Sequence, residues 1–158
     1  GHFLQAVTQR HPGIDATLVD LPQVIERVAD GPGAEKLRLV SADFFTDTLP
    51  VADIYVLMEV IHDWDDTDAV RILSNVRRSA PDHATLVIIE TVLDDARLRD
   101  PARTLDIVML ALTGGRERSA ADYSRLFERA GFELVRVVPT GGAVQLVEAR
   151  VIAQRELA

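Results

Sequence analysis

Short apolar runs recur along this chain, each followed by a stretch of helical periodicity, and no other feature narrows the possible folds as much. Ala16-Thr17-Leu18-Val19 reads as a buried strand ending at Asp20. Residues 21–29 then read as a helix with Pro22 near its first position, where a missing N–H costs nothing, and Gly31-Pro32-Gly33 stops it. A second strand over 37–41 leads to Asp43. The third, over 53–60, is almost wholly apolar, as a strand covered on both faces should be. An acidic helix start at Asp65-Asp66-Thr67-Asp68 comes after it, with Val70, Leu73 and Val76 at helical spacing and Arg77-Arg78 in the last turn. Residues 86–89 form a fourth buried strand, and 103–112 a helix with Leu105, Val108, Met109 and Leu112 on one face. Ser119 and Asp122 resemble a capping box, Tyr123, Leu126, Phe127 and Ala130 share the next helix face, and Gly131 ends the helix. Two alternating strands, 132–138 and 144–151, close the chain around Pro139-Thr140-Gly141-Gly142. The pattern predicts one α/β domain across residues 1–158, its sheet mostly parallel with an antiparallel C-terminal hairpin.

Charge and composition exclude several functions. A formal net charge of −8 repels nucleic-acid phosphates. No apolar run is long enough to span a membrane, so no membrane partner is expected. The absence of cysteine removes disulfides and thiolate metal sites and fits a cytoplasmic protein. No metal is expected: Asp63, Asp65 and Asp68 lack the glycine and closing glutamate of a calcium loop.

In an open α/β sheet, ligands bind beyond the carboxyl ends of the strands. Asp20 and Asp43 fall there, and a carboxylate so placed suits the paired hydroxyls of a ribose. Phe44 adds a ring that can stack on a base. The alternative is that Asp20 caps the next helix and Asp43 begins a turn. His62, in Ile61-His62-Asp63-Trp64-Asp65, closes the third strand and has the pKa range of a general base, although a surface histidine beside an acidic helix start is equally consistent with its position. Glu90 ends the fourth strand and Glu117 lies in the turn Gly114-Gly115-Arg116-Glu117-Arg118. Either carboxylate can fix an imidazole tautomer, or stand as a solvated charge.

The stretch Leu57-Met58-Glu59-Val60-Ile61-His62-Asp63-Trp64-Asp65-Asp66 resembles the histidine motif of the caffeate-type (class II) S-adenosylmethionine (SAM)-dependent O-methyltransferases. Four further segments match the same family in order: Val19-Asp20-Leu21-Pro22, Ala42-Asp43-Phe44-Phe45, Leu105-Asp106-Ile107-Val108-Met109-Leu110 and Gly114-Gly115-Arg116-Glu117-Arg118-Ser119. The resemblance implies a Rossmann-like methyltransferase sheet and transfer of a methyl group from SAM to a hydroxyl, phenolic in the family pattern, of a small aromatic molecule. By the same resemblance His62 is the general base flanked by Glu90 and Glu117. Asp20, Leu21, Asp43 and Phe44 then bind the cofactor, and Trp64, Asp106 and Met109 face the acceptor. It also implies a homodimer formed by a helical domain outside this chain. Three departures stand out: only Gly1 stands where the last glycine of the family's glycine-rich loop is expected, with the first strand of the sheet expected to be missing; Met58 replaces the lysine usual in plant members; and the family's N-terminal helical domain is not in this chain. The competing expectations are a SAM-binding relative with hydroxylase or decarboxylase chemistry and a non-catalytic interaction module. A dehydrogenase is disfavoured, since neither Tyr55 nor Tyr123 has a lysine four residues on.

Overall fold

The computed structural model describes residues 1–94 and 102–153, and the chain divides into two compact units, Gly1–Leu49 and Pro50–Ala158. The first unit opens with helix α1 (His2–Arg10). Strand β1 (Thr17–Asp20), helix α2 (Pro22–Ala29), a 3-10 turn at Ala34–Lys36 and strand β2 (Arg38–Ser41) complete a β-α-β unit. β1 and β2 pair in parallel from Thr17↔Arg38 to Asp20↔Ser41. Parallel neighbours need a crossover, which α2 supplies. Ala16, Ile25, Leu37, Ala42 and Leu49 are among its buried apolar residues, a thin core.

The second unit begins with β3 (Ile54–Met58), a 3-10 turn at Ile61–Asp63, α3 (Asp66–Ser79) and β4 (Thr85–Glu90). It continues through β5 (Val92–Leu93), α4 (Ala102–Leu112), β6 (Arg118–Ser119), α5 (Ala120–Ala130), β7 (Phe132–Pro139) and β8 (Gln145–Val151). Four strands form one sheet in the order β3-β4-β8-β7. β3 and β4 are parallel, whereas β8 runs antiparallel to both β4 and β7. The closing hairpin is therefore as expected, and its second strand inserts beside β4. Leu86, Ile88, Val147 and Ala149 on β4 and β8 are fully buried. So are Ile72 and Leu73 on α3 and Tyr123 and Phe127 on α5, two helices that pack on each other.

The helix ends obey local chemistry. Asp65 accepts the backbone N–H groups of Thr67 and Asp68, capping α3 where the acidic run predicts a start. Ser119 and Asp122 form a reciprocal capping box, and Gly131 at φ 84° closes α5 in the left-handed region that favours glycine.

Four features depart from the sequence reading. The strands fall into separate sheets, β1-β2 and β3-β4-β8-β7, because hydrophobic periodicity marks strands without saying which lie side by side. β3 stops at Met58, since Glu59 turns to φ 52°, and its ends are open, with Ile54 59% and Met58 42% exposed rather than covered. On α4, Leu105 and Met109 are half-buried, but Val108 and Leu112 are exposed together with Ile107 and Leu110, so the predicted apolar face is only partly covered among the described residues. Finally, β5 and β6 form a two-residue parallel pair, Val92↔Arg118 and Leu93↔Ser119, too short to leave a periodic signal. That pair fixes the chain just beyond Glu90 to the chain just beyond Glu117. Among the described residues no helix is long and apolar enough to cross a membrane.

Candidate active site

His62 sits on the 3-10 turn that leaves the end of β3. The exit is abrupt: Glu59 occupies a positive φ, a conformation that costs a non-glycine residue about 1 kcal/mol or more. Charged side chains hold the turn on both sides. Glu90 Oε1 accepts the backbone N–H groups of Val60, Ile61 and His62 at 3.0, 2.6 and 3.3 Å. The fully buried Arg118 donates Nη1 to the Ile61 carbonyl (2.9 Å) and Nη2 to the Trp64 carbonyl (2.8 Å). It also places Nε and Nη2 on Asp66 Oδ1, which offsets its buried charge. An anion thus binds the amides of the turn and a cation its carbonyls.

Glu117 reaches the imidazole itself. Its Oε1 lies 3.2 Å from His62 Nδ1, and the glutamate is fully buried. A carboxylate only accepts, so Nδ1 donates and Nε2 keeps the lone pair. Glu117 Oε2 is buried without a hydrogen-bond partner among the described residues, leaving the histidine as the group that compensates the side chain's charge. Accordingly the His62 pKa is raised above its ordinary value of 6.5, first by the Glu117 hydrogen bond and then, against the opposing effect of burial, by the charges of Glu90, Glu117 and Asp63. The Glu117 backbone is fixed too. Its N–H donates to Asp106 Oδ1 on α4 at 2.8 Å, and the Arg116 N–H donates to the His62 carbonyl at 2.9 Å.

Gly115 makes this closeness possible. A Cβ there would stand 2.0 Å from the His62 carbonyl oxygen and 2.5 Å from the Asp63 carbonyl carbon, so the two backbone segments touch at a residue that must lack a side chain.

The second unit therefore brings together His62, Glu117 and, through the backbone, Glu90. Asp106 is present as a support of Glu117. Trp64, half-buried, gives its carbonyl to Arg118, and Met109 lies half-buried one turn along α4 from Asp106. In the first unit, Asp20 ends β1 and its Oδ1 accepts the Leu21 N–H at 2.8 Å. The N-cap position of α2 belongs to Leu21, which is exposed and makes no side-chain cap. Asp43 lies just beyond β2 and takes the Phe45 N–H on Oδ1 at 2.8 Å, the turn geometry weighed as its alternative role. Phe44 packs edge-on against Phe45 with ring centroids 5.1 Å apart. Arg118 and Tyr123 escaped the sequence reading as site residues, the first lost in a charged turn and the second on an apolar helix face; the paired glycines 114 and 115 were the available sign of a close approach.

Residues 1–133 match the family model of the O-methyltransferase domain. The phenazine O-methyltransferase PhzM of Lysobacter antibioticus is 36% identical over 156 residues, covering 96% of this chain and 46% of that protein. The mitomycin biosynthesis 6-O-methyltransferase of Streptomyces lavendulae is also 36% identical, with 95% of this chain and 44% of the relative covered. Human N-acetylserotonin methyltransferase, solved in complex with SAM, superposes with a TM-score of 0.86 at 30% identity, covering 92% of this chain and 43% of that one. The chain spans about half the length of the curated relatives it matches.

Proposed function

The chain belongs to the O-methyltransferase domain family, and on that premise we propose that its 158 residues act as one catalytic domain moving a methyl group from SAM to a hydroxyl of a small aromatic molecule. The observation that carries this reading is the contact of His62 Nδ1 with the buried Glu117 carboxylate. It leaves Nε2 as the acceptor, on a side chain still 13% exposed, and a base must keep such access to its substrate. The acceptor hydroxyl gives its proton to Nε2, and the imidazolium so formed is stabilised by Glu117 directly and by the charge of Glu90 nearby. When bound, SAM supplies an electrophilic methyl group on a positive sulfonium that departs as a neutral thioether.

The cofactor fits residues of the first unit. Asp20 and Asp43 each engage one carboxylate oxygen with a neighbouring backbone N–H, and the other oxygen has no hydrogen-bond partner among the described residues. Those oxygens are acceptors for the donor hydroxyls of a ribose and the amine of an adenine. In this reading Leu21 and the Phe44 ring supply apolar contact to the adenosyl group, and Trp64 and Met109 face the acceptor. A homodimer and a cytoplasmic location belong to the same proposal.

Calorimetric titration of S-adenosylhomocysteine into the protein at its full natural length tests the cofactor. Micromolar binding that Asp20→Ala removes is the expected result. His62→Ala should then lower kcat toward phenols by at least ~100-fold, the usual contribution of a positioned base. A folded protein that binds no S-adenosylhomocysteine would sink the methyltransferase assignment, and a His62→Ala variant with undiminished kcat would remove His62 as its base.

A further inference from the structure

Glu90 is fully buried, and among the described residues its hydrogen bonds go to the backbone of the turn and to Tyr123 rather than to the imidazole. Its Oε1 collects the three amides of residues 60–62, and its Oε2 accepts from the hydroxyl of Tyr123 on α5, at 2.5 Å. Tyr123 is fully buried as well. Its ring packs against Phe127 with centroids 5.8 Å apart, which fixes the direction of the hydroxyl from the helix core.

We propose that Tyr123 is a positioning residue for His62, acting through Glu90. The proposal rests on the reading of His62 as the base and goes beyond it by adding a residue that touches neither substrate nor imidazole. An oxygen that accepts three amides is strongest as an acceptor when the carboxylate is ionised, and ionisation in a fully buried setting is costly. Burial pushes the Glu90 pKa up, and the Tyr123 hydrogen bond is the largest of the influences that hold it down, ahead of the His62 charge and the Ile61 and Val60 amides. The same contact keeps Tyr123 a neutral donor, because burial and the Glu90 charge raise its own pKa well above the ordinary tyrosine value. The Tyr123 hydroxyl therefore preserves two properties of Glu90: the grip on the turn that carries His62, and a negative charge that acts on the imidazole. The charges acting on His62 are Glu117, Glu90 and Asp63, and those acting on Tyr123 are Glu90, Arg118 and Glu117.

Tyr123→Phe in the full-length protein separates this role from simple core packing, because it keeps the ring and removes only the donor. The readout is the His62 imidazole titration measured by NMR with labelled histidine, its resonance assigned by its loss in His62→Gln. We expect the His62 midpoint to fall, kcat to drop about ten-fold, and KM for both substrates to stay within a factor of two. An unchanged midpoint in the folded variant would overturn the proposal, even if kcat or the melting temperature falls. If Tyr123→Phe does not fold, Glu90→Gln removes the charge while keeping the shape, and its His62 midpoint must also fall; an unchanged one overturns the proposal. The titration needs neither cofactor nor acceptor. A wild-type protein that transfers no methyl group would thus defeat the methyltransferase reading, while the linkage from Tyr123 to His62 is decided by the midpoint alone.

Discussion

Gly115 and His62 meet backbone to backbone, and the consequence can be reasoned from that distance alone. A methyl group at position 115 would overlap the His62 carbonyl oxygen at 2.0 Å, and neither partner is a flexible side-chain end that can swing aside. Gly115→Ala must therefore lift segment 115–118, and Glu117 leaves Nδ1 with it. A displacement on the order of 1 Å in a catalytic pair costs about 100-fold in rate, so we expect kcat to fall by that order, measured beside a circular-dichroism check of folding. Glu117→Gln tests the electrostatic half of the contact. The Glu117 hydrogen bond is the first cause of the raised His62 pKa, so the acid limb of kcat/KM should lie above pH 6.5 in the wild type and move down in the variant. Activity at saturation should fall as well, because the imidazolium loses its compensating charge; a limb that stays in place would remove Glu117 from the mechanism. Stability has the opposite sense of pH. A histidine with a raised folded pKa contributes its full stabilisation below the unfolded value of 6.5 and loses it as pH rises through the folded value.

At the scale of elements, the features legible in advance were those that one segment decides for itself. The Asp65 cap of α3, the Ser119–Asp122 box of α5 and the Gly131 stop each depend on groups within a few residues, and each stands where local chemistry put it. Replacing Ser119 by Ala should cost about 1 kcal/mol in urea unfolding, the usual loss of a helix cap. Features requiring two distant segments were less legible. The end of β3 at Glu59 depends on Glu90, thirty-one residues away in sequence, because its grip on the amides of residues 60–62 compensates the positive φ. Asp106 is a similar case. The family resemblance implies an acceptor-facing role for it, whereas the structure puts its Oδ1 on the Glu117 N–H. The two roles predict different kinetics for Asp106→Ala. A support of Glu117 lowers kcat by about ten-fold and leaves KM for the acceptor alone, while a wall of the acceptor site raises KM with kcat intact. We expect the first pattern.

The whole molecule joins units of unequal solidity. In the second, Leu86 and Ile88 on β4 and Val147 and Ala149 on β8 are fully buried, and the strands bearing them lie inside the sheet order. In the first, the apolar residues that count as buried remain 6–9% exposed, and β1 pairs with β2 alone among the described residues. The periodicity announced strands in both units, yet the difference between them is a matter of which neighbours cover each strand, and a single chain's pattern carries no such information. Amide exchange reads that difference, because opening free energy tracks buried contact and shielded hydrogen bonds. Native-state hydrogen exchange measured by mass spectrometry should therefore find the slowest amides in β4 and β8 and much faster ones in β1 and β2. A ligand that binds only the folded form stabilises the segments it holds by mass action. If Asp20 and Asp43 bind the adenosyl group, saturating S-adenosylhomocysteine must slow exchange across residues 18–22 and 41–45, and Asp20→Ala must abolish the effect. Protection confined to other segments would detach both aspartates from the cofactor and place the adenosyl group on those segments instead.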